Sequence, residues 1–359
     1  MTQIESAAVP IPDLLERLLT TPGPSGHERA AAAVWREAAE GVGEVSKDAL
    51  GSSWVRVPGT AGGPTLAIVA HIDEIGIVVT HLGDDGLAAV RTLGGWDPHV
   101  LLGQRVDVLV RGGTVPGVVG ARKHKRKRGD DRKALDADDL YLDVGAKDGA
   151  ELRALVRPGD AAVWHGAPVS LHGSRIASRA LDDRSGCYVA LEAARRIAER
   201  GGAPGDVTAV AAVLEEVGDF AGSRSASFAT EPDLALAVDV THATDVRGGD
   251  PEDEGAVPLG GGPTLMRGPT LHPDIFELLH EAAEAEGIPV SLEVSRGATY
   301  TDADAVYLTR QGIPTGLVSI PLRYMHSPIE TADLEDIENA VRLIVAFALR
   351  LEPGLSLAG

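Results

Sequence analysis

Short apolar runs alternate with amphipathic helical stretches along most of this chain, and the alternation stops once, between Ile77 and Ala167. Outside that window, Thr65–Ala70, Val207–Leu214, Leu234–Val238, Val290–Val294 and Thr315–Ile320 read as buried strands. Periodicity predicts helices over Pro273–Glu286, Asp302–Gln311 and Leu334–Leu351, and on both sides of the break Thr21–Gly26 between Pro12 and Glu40. After Asp183, the residues Cys187, Leu191, Ala194 and Ile197 recur at helical spacing and give one apolar face, with Glu192, Arg195 and Arg196 turned to water. Strands alternating with helices bury their apolar faces only as a layered α/β fold. Inside the window, Val- and Gly-rich segments such as Arg105–Val110 and Val115–Val119 are separated by turn residues and show no helix period, the pattern of a small β-domain. The economical architecture is one α/β domain, residues 1–76 with 168–359, interrupted by an inserted β-domain at 77–167.

At 359 residues the chain exceeds what one hydrophobic core usually holds, in agreement with two domains. Its net charge of −20 argues against a nucleic-acid partner. The basic run Arg122–Arg128 has no interleaved aromatics and lies between turn signals, so it reads as a solvated loop. A single cysteine, Cys187, excludes an intramolecular disulfide and a thiolate-rich metal site, and fits a reducing compartment. Met1–Pro12 lacks a basic segment followed by an apolar one, and no apolar run is long enough to cross a bilayer. The expectation is a cytoplasmic protein with no membrane partner.

The chemistry collects at the ends of the expected strands. His71 and Asp73 follow Thr65–Ala70 and, two apart, point to one side. His71 then suits a metal ligand with Asp73 as the carboxylate that orients it, although His-x-Asp alone also fits an exposed turn. Asp182 and Asp183 precede a helix, where one can cap while the other bridges two cations. Glu215 and Glu216 follow Val207–Leu214; neighbours on a strand face opposite ways, so both reach one site only if the strand ends there, as Val217-Gly218 allows. Taken alone they equally fit a solvated loop. Asp239 ends Leu234–Val238, and His326 follows Thr315–Ile320. Each is weak by itself, but open α/β sheets bind ligands beyond the carboxyl ends of their strands, and five elements deliver these groups to that edge. Two imidazoles with a shared Asp, a terminal Asp and a Glu suit two neighbouring divalent cations, and the spare Glu suits the base that deprotonates water. Nitrogen and oxygen donors without thiolate fit zinc or cobalt and also accept manganese. Gly260–Gly262 has no following Lys-Ser/Thr and opens no helix, so it reads as a turn rather than a phosphate loop.

The blocks Ala70-His-Ile-Asp-Glu-Ile-Gly76, Arg179-Ala-Leu-Asp-Asp-Arg184, Glu215-Glu-Val-Gly218, Asp239-Val-Thr-His-Ala243 and Arg323-Tyr-Met-His-Ser-Pro328 resemble the signature blocks of the M42 metallo-aminopeptidases, which include glutamyl and tetrahedral (TET) aminopeptidases. Pro24-Ser-Gly-His-Glu28, Gly94-Gly-Trp-Asp-Pro98 and Leu142-Asp-Val-Gly-Ala-Lys147 are similar too, so the match runs along nearly the whole chain. The resemblance implies an α/β catalytic domain of the zinc-peptidase type with an inserted small β-barrel for dimerisation. It implies His71, Asp182 and Asp239 on one metal ion, Asp182, Glu216 and His326 on the other, Glu215 as general base and Asp73 supporting His71. It also implies a cis Asp182–Asp183 peptide, short peptide substrates, and a homo-oligomer ranging from dimer to dodecamer. This chain departs from the family pattern at Asp219–Ser223, at Ala298–Tyr300 and at Val246–Gly248, which spares every expected ligand and bears on substrate preference. The other reading of such a site is a related two-metal amidohydrolase or deacylase acting on N-acylated amino acids or peptide-like amides.

Overall fold

The structure, a computed structural model, describes residues 9–122, 135–355 and 357. Most of the basic run, from residue 123 onward, therefore lies outside the described residues.

Eight strands form the main sheet in the order Glu44–Lys47, Ser53–Val57, Val207–Ala212, Leu66–His71, Leu234–His242, Thr315–Leu322, Thr264–Arg267 and Ser291–Val294. The four central ones run parallel. Every residue of Leu66–His71, Val207–Ala212 and Thr315–Leu322 is buried, as strands covered on both faces require. Leu66, Ile68 and Ala70 feed the core beneath the helix Leu181–Glu199, while Ala67 and Val69 feed a second core with Ala226 and Val306 on the opposite face. Pleat alternation thus serves two helical layers from one strand.

The interrupting stretch closes on itself. Gly76–Leu82, Leu87–Leu93, Leu140–Asp143, Gly113–Ala121, Arg105–Val110 and Ala161–Trp164 make a closed barrel with its own core of Ile77, Val79, Val90, Val106, Val108 and Leu142. The expectation of a helix-free insert needs correction. Gly149–Leu155 is a helix, capped by the Asp148 carboxylate accepting from the Glu151 amide at 2.9 Å, and its Leu152 is fully buried. Seven residues span two turns, too few for a periodic signal.

Two other expectations shift. The helix expected over Asp302–Gln311 is a single turn, Ala303–Val306, because the chain leaves it through left-handed Arg310 and Gly312 to enter the strand at Thr315. The helix Leu181–Glu199 is not amphipathic at its start: Leu181–Leu191 is buried throughout, between the sheet and the helices Asp13–Thr20 and Leu334–Ala348. Glu192 does not simply face water either; it accepts from Arg195 at 2.5 Å and Arg196 at 2.9 Å. A small three-stranded sheet, Val169–Ser170, Arg175–Ser178 and Glu330–Asp333, completes the architecture and sets Ser178 opposite Glu330. Among the described residues no helix is long and apolar enough to cross a membrane.

Candidate metal centre

The four central parallel strands or the segments that leave them, with the start of the helix Leu181–Glu199, meet at one cluster. His71 closes the strand Leu66–His71 and is 1% exposed. Its Nδ1 lies 3.2 Å from the Asp73 carbonyl oxygen and 3.5 Å from the Asp73 carboxylate. With Nδ1–H donated there, Nε2 is the ring nitrogen that can offer its lone pair to a cation once its proton is displaced. That Nε2 faces Asp182 Oδ1 at 3.1 Å, Glu215 Oε2 at 3.9 Å and Asp239 Oδ1 at 4.0 Å.

The second imidazole approaches from the other side. His326 lies on the loop after Thr315–Leu322, and its Nε2 is 3.3 Å from Asp182 Oδ2 and 3.4 Å from Glu216 Oε2. The two oxygens of Asp182 therefore point at different histidines. Two overlapping triads, His71–Glu215–Asp239 and His71–Asp182–Glu216, each bring one donor atom per residue within 4.8 Å of one another. His326 adjoins the second triad through Asp182 and Glu216. All seven residues singled out from the sequence, His71, Asp73, Asp182, Glu215, Glu216, Asp239 and His326, thus lie in one cluster.

Local backbone choices make this possible. The strand Val207–Ala212 ends early, and Leu214 adopts φ +62°, turning the chain so that adjacent Glu215 and Glu216 both reach inward. Left-handed Ala180 and His326 likewise flank or carry the site. Non-glycine residues held there cost about 1–3 kcal/mol each, which the surrounding packing must offset. The Asp182–Asp183 peptide is cis. From the barrel, Gly94 and Gly95 press against the cluster: a Cβ on Gly95 would meet His326 Nδ1 at 3.1 Å, and one on Gly94 would lie 3.4 Å from Glu216 Oε2.

Three buried carboxylates grip the backbone around these residues. Asp73 accepts from the Glu215 and Glu216 amides at 3.1 and 3.2 Å and from Ser25 Oγ at 2.7 Å. Asp183 accepts from the His71 amide at 3.2 Å and the Gly186 amide at 2.9 Å, so it also caps its helix. Glu330 accepts from the Asp182 and His326 amides at 3.2 and 3.0 Å. Behind them, Glu74 pairs with Arg179 and Arg184, and Arg184 donates to the carbonyls of Leu18 at 2.6 Å and Thr21 at 3.0 Å, which fixes the N-terminal segment against the site. Sequence reasoning found no role for Ser25, Glu330 or the buried Asp302. Ser25 sits inside a quoted block, but Glu330 reads as an ordinary acidic residue at the start of an edge strand.

The cluster carries far more negative than positive charge. Asp73, Asp182, Asp183, Glu215, Asp239, Asp302 and Glu330 are all under 9% exposed and the Glu216 side chain is 5% exposed, facing two imidazoles. Burial, then Asp239 and Asp302, pushes Glu215 up to about 11 against the opposing pull of His71. Burial, then Asp182, raises Glu216 to about 7. Burial also lifts Asp239 and Asp183 well above the carboxylate range. For His326, burial is outweighed by Asp182 and Glu216, which raise it to about 11. His71 is raised likewise, its burial outweighed by Glu215 and Asp182. Asp182, despite burial, is held below the usual range by the two imidazoles. Glu216 Oε1 is buried with no hydrogen-bond partner. Such a pocket demands protons or cations, and its donor set fits divalent metal ions.

A family model described as M42 glutamyl aminopeptidase matches residues 51–343. The chain belongs to the M42 family. Members of this family are metal-dependent aminopeptidases, in keeping with the acidic and imidazole groups gathered here. Among its relatives, the lysyl aminopeptidase of Pyrococcus furiosus is 34% identical over 95% of this chain and 97% of its own. A TET aminopeptidase from a marine sediment archaeon of the Thaumarchaeota superposes with a TM-score of 0.89 at 33% identity, covering 95% of this chain and 96% of the other. The TET1 peptidase of Pyrococcus horikoshii, described as assembling into a tetrahedron or a large octahedral shell, superposes at 0.83 with 30% identity over 94% and 99% of the two chains. The M42 fold, a mixed α/β sheet with a closed six-stranded barrel, is the one seen here.

Proposed function

We propose that this chain is a two-metal aminopeptidase that removes the N-terminal residue from short peptides, with Glu215 as its general base. The observation that carries the reading is the division of Asp182, whose Oδ1 faces His71 and whose Oδ2 faces His326 at 3.1 and 3.3 Å. His71, Asp182 and Asp239 would hold one divalent cation, and Asp182, Glu216 and His326 its neighbour. Zinc or cobalt suits these donors, and manganese is acceptable. Cations held there supply Lewis acidity, polarising the scissile carbonyl and making water acidic enough to lose a proton near neutral pH.

The protein's own groups do the rest. Glu215 takes the proton from the attacking water and returns it to the departing amine. Asp73 fixes the base and its neighbour by holding both their amides. His71 is locked by its Nδ1 contact, so its Nε2 stays aimed at the carboxylates. Residues 1–76 with 168–359 form the catalytic domain in this reading, and 77–167 form a barrel through which copies assemble, as the TET relative's shells support. A cytoplasmic location fits the composition.

Aminoacyl-p-nitroanilides assayed beside their N-acetylated forms test the substrate class. Only the free amines should be cleaved; equal cleavage of the acetylated forms would favour the amidohydrolase reading. Dialysis against a chelator should abolish turnover, and added cobalt or zinc should restore it. Glu215→Gln should lower kcat by about 10²–10⁴-fold with metal content unchanged, and full turnover at normal metal content would remove Glu215 from its role.

A further inference from the structure

Glu330 is neither an expected metal ligand nor the expected base, yet it connects Asp182 and His326, which face each other across the outer half of the site, the half on the His326 side. Its Oε1 accepts from the His326 amide at 3.0 Å and its Oε2 from the Asp182 amide at 3.2 Å, with the residue 1% exposed. Both gripped residues have irregular backbone: His326 is left-handed at φ +58°, and Asp182 departs from helical angles inside a helix at φ −80°, ψ 109°. The His326 loop is closed at its base by a paired exchange between Arg323 and Thr331, each amide 2.9 Å from the other's carbonyl. Within the loop, the Ile329 amide reaches Ser327 Oγ at 3.3 Å. Neither contact orients His326 itself. Glu330 does, and its own strand is pinned because it pairs with Arg175–Ser178, a few residues before Asp182.

From this geometry we propose that Glu330 is a positioning residue: it sets the separation of Asp182 and His326 and thereby the affinity of the outer cation. The proposal rests on the two-cation reading above. A glutamine at 330 keeps one acceptor oxygen and turns an NH₂ toward the second amide, so one of the two grips is lost while the volume is kept. Supporting residues around metal ligands typically change affinity by about 10–100-fold.

The test is titration of metal-free protein with cobalt(II), followed by calorimetry and by the visible absorption of the bound ion. Wild-type protein should take up two equivalents per chain. Glu330→Gln should bind the first within about threefold of wild type and the second about 10–100-fold more weakly. Its metal-free melting temperature should stay within a few degrees of wild type. Glu330→Asp, which retains both acceptor oxygens, should recover part of the second affinity. Unchanged binding of both equivalents in Glu330→Gln, or equal weakening of both, overturns the proposal. If Glu330→Gln does not fold, Glu330→Asp is read by the same rule: selective loss of the second equivalent supports it and equal loss overturns it. A wild-type protein that binds one equivalent overturns the two-cation reading itself, an outcome separate from the role of Glu330.

Discussion

The two imidazoles of the site live in different surroundings. His71 ends a fully buried parallel strand, its side chain 2% exposed, with strands hydrogen-bonded on both sides. His326 sits on a loop, its side chain 33% exposed, beside an open cavity of about 600 Å³ lined by Asp97, His99, Val100, Tyr324, Met325 and Ile329. The sheet positions the first. The second depends on a left-handed residue, on Glu330 and on the barrel's Gly94-Gly95 segment. A site built this way has an inner half fixed by paired strands and an outer half carried by a loop on the solvent side.

Replacing each imidazole in turn breaks or sharpens that contrast. His71→Ala should abolish turnover and cost the inner cation more than the roughly 100-fold that loss of a supporting residue produces. His326→Ala should deplete only the outer cation, leaving about one equivalent by elemental analysis. Equal depletion in both variants would show that the halves are not distinct, and unchanged stoichiometry in His326→Ala would remove it from the ligand set.

The pH dependence is a smaller effect on the same contrast. In cation-free protein Glu216 is raised to about 7 and His326 to about 11, so a cation entering the outer half must displace protons. Outer affinity should therefore rise from pH 5 to pH 8, by up to about tenfold per pH unit for each proton displaced. The stability sign follows from the same groups. Both have folded values above their unfolded ones, so their contribution is complete below about 4.5 for Glu216 and about 6.5 for His326, and is lost as pH rises through their folded values. Asp182, shifted down, acts only in more acid solution. Melting curves should show metal-free protein weakening from pH 5 to pH 8, with added metal raising the melting temperature more at pH 8. A larger gain at pH 5 would contradict the assignment.

The smallest effect tests the barrel's share. Gly95→Ala would place a methyl 3.1 Å from His326 Nδ1, which must yield by a few tenths of an ångström. Turnover should fall by about threefold, since larger misplacements of about 1 Å cost near 100-fold. Inner-cation affinity should be unaltered, and a change there would mean that the barrel also supports the inner half.

The strands that carry His71 and Asp239 were legible because each holds a continuous apolar run followed by a polar group, a pattern that burial on both faces imposes on the sequence itself, although the second runs on past Asp239 to His242. The same reasoning placed Glu215 and Glu216 at a strand end but assigned the ending to Val217-Gly218 after them, whereas the strand stops before them, at Ala212. The turn at Leu214, in the left-handed region, has no signature in its side chain. The one-turn helix at Ala303–Val306 was overread for a related reason: helical spacing continues past it in the sequence, whereas the need to enter the next strand ends it in space.

What the amino-acid sequence determined alone was the layered α/β plan, the interrupting β-domain and the kinds of side chain brought to the sheet edge, since burial periodicity and donor chemistry are written in residue type. Only the tertiary structure decided which oxygen of Asp182 faces which imidazole, and that Asp73, Asp183 and Glu330 hold backbone amides of the segments that carry the cluster. An amide is the same at every position along a chain. Which ones a buried carboxylate reaches depends on how distant segments pack, and no local pattern of residues encodes it.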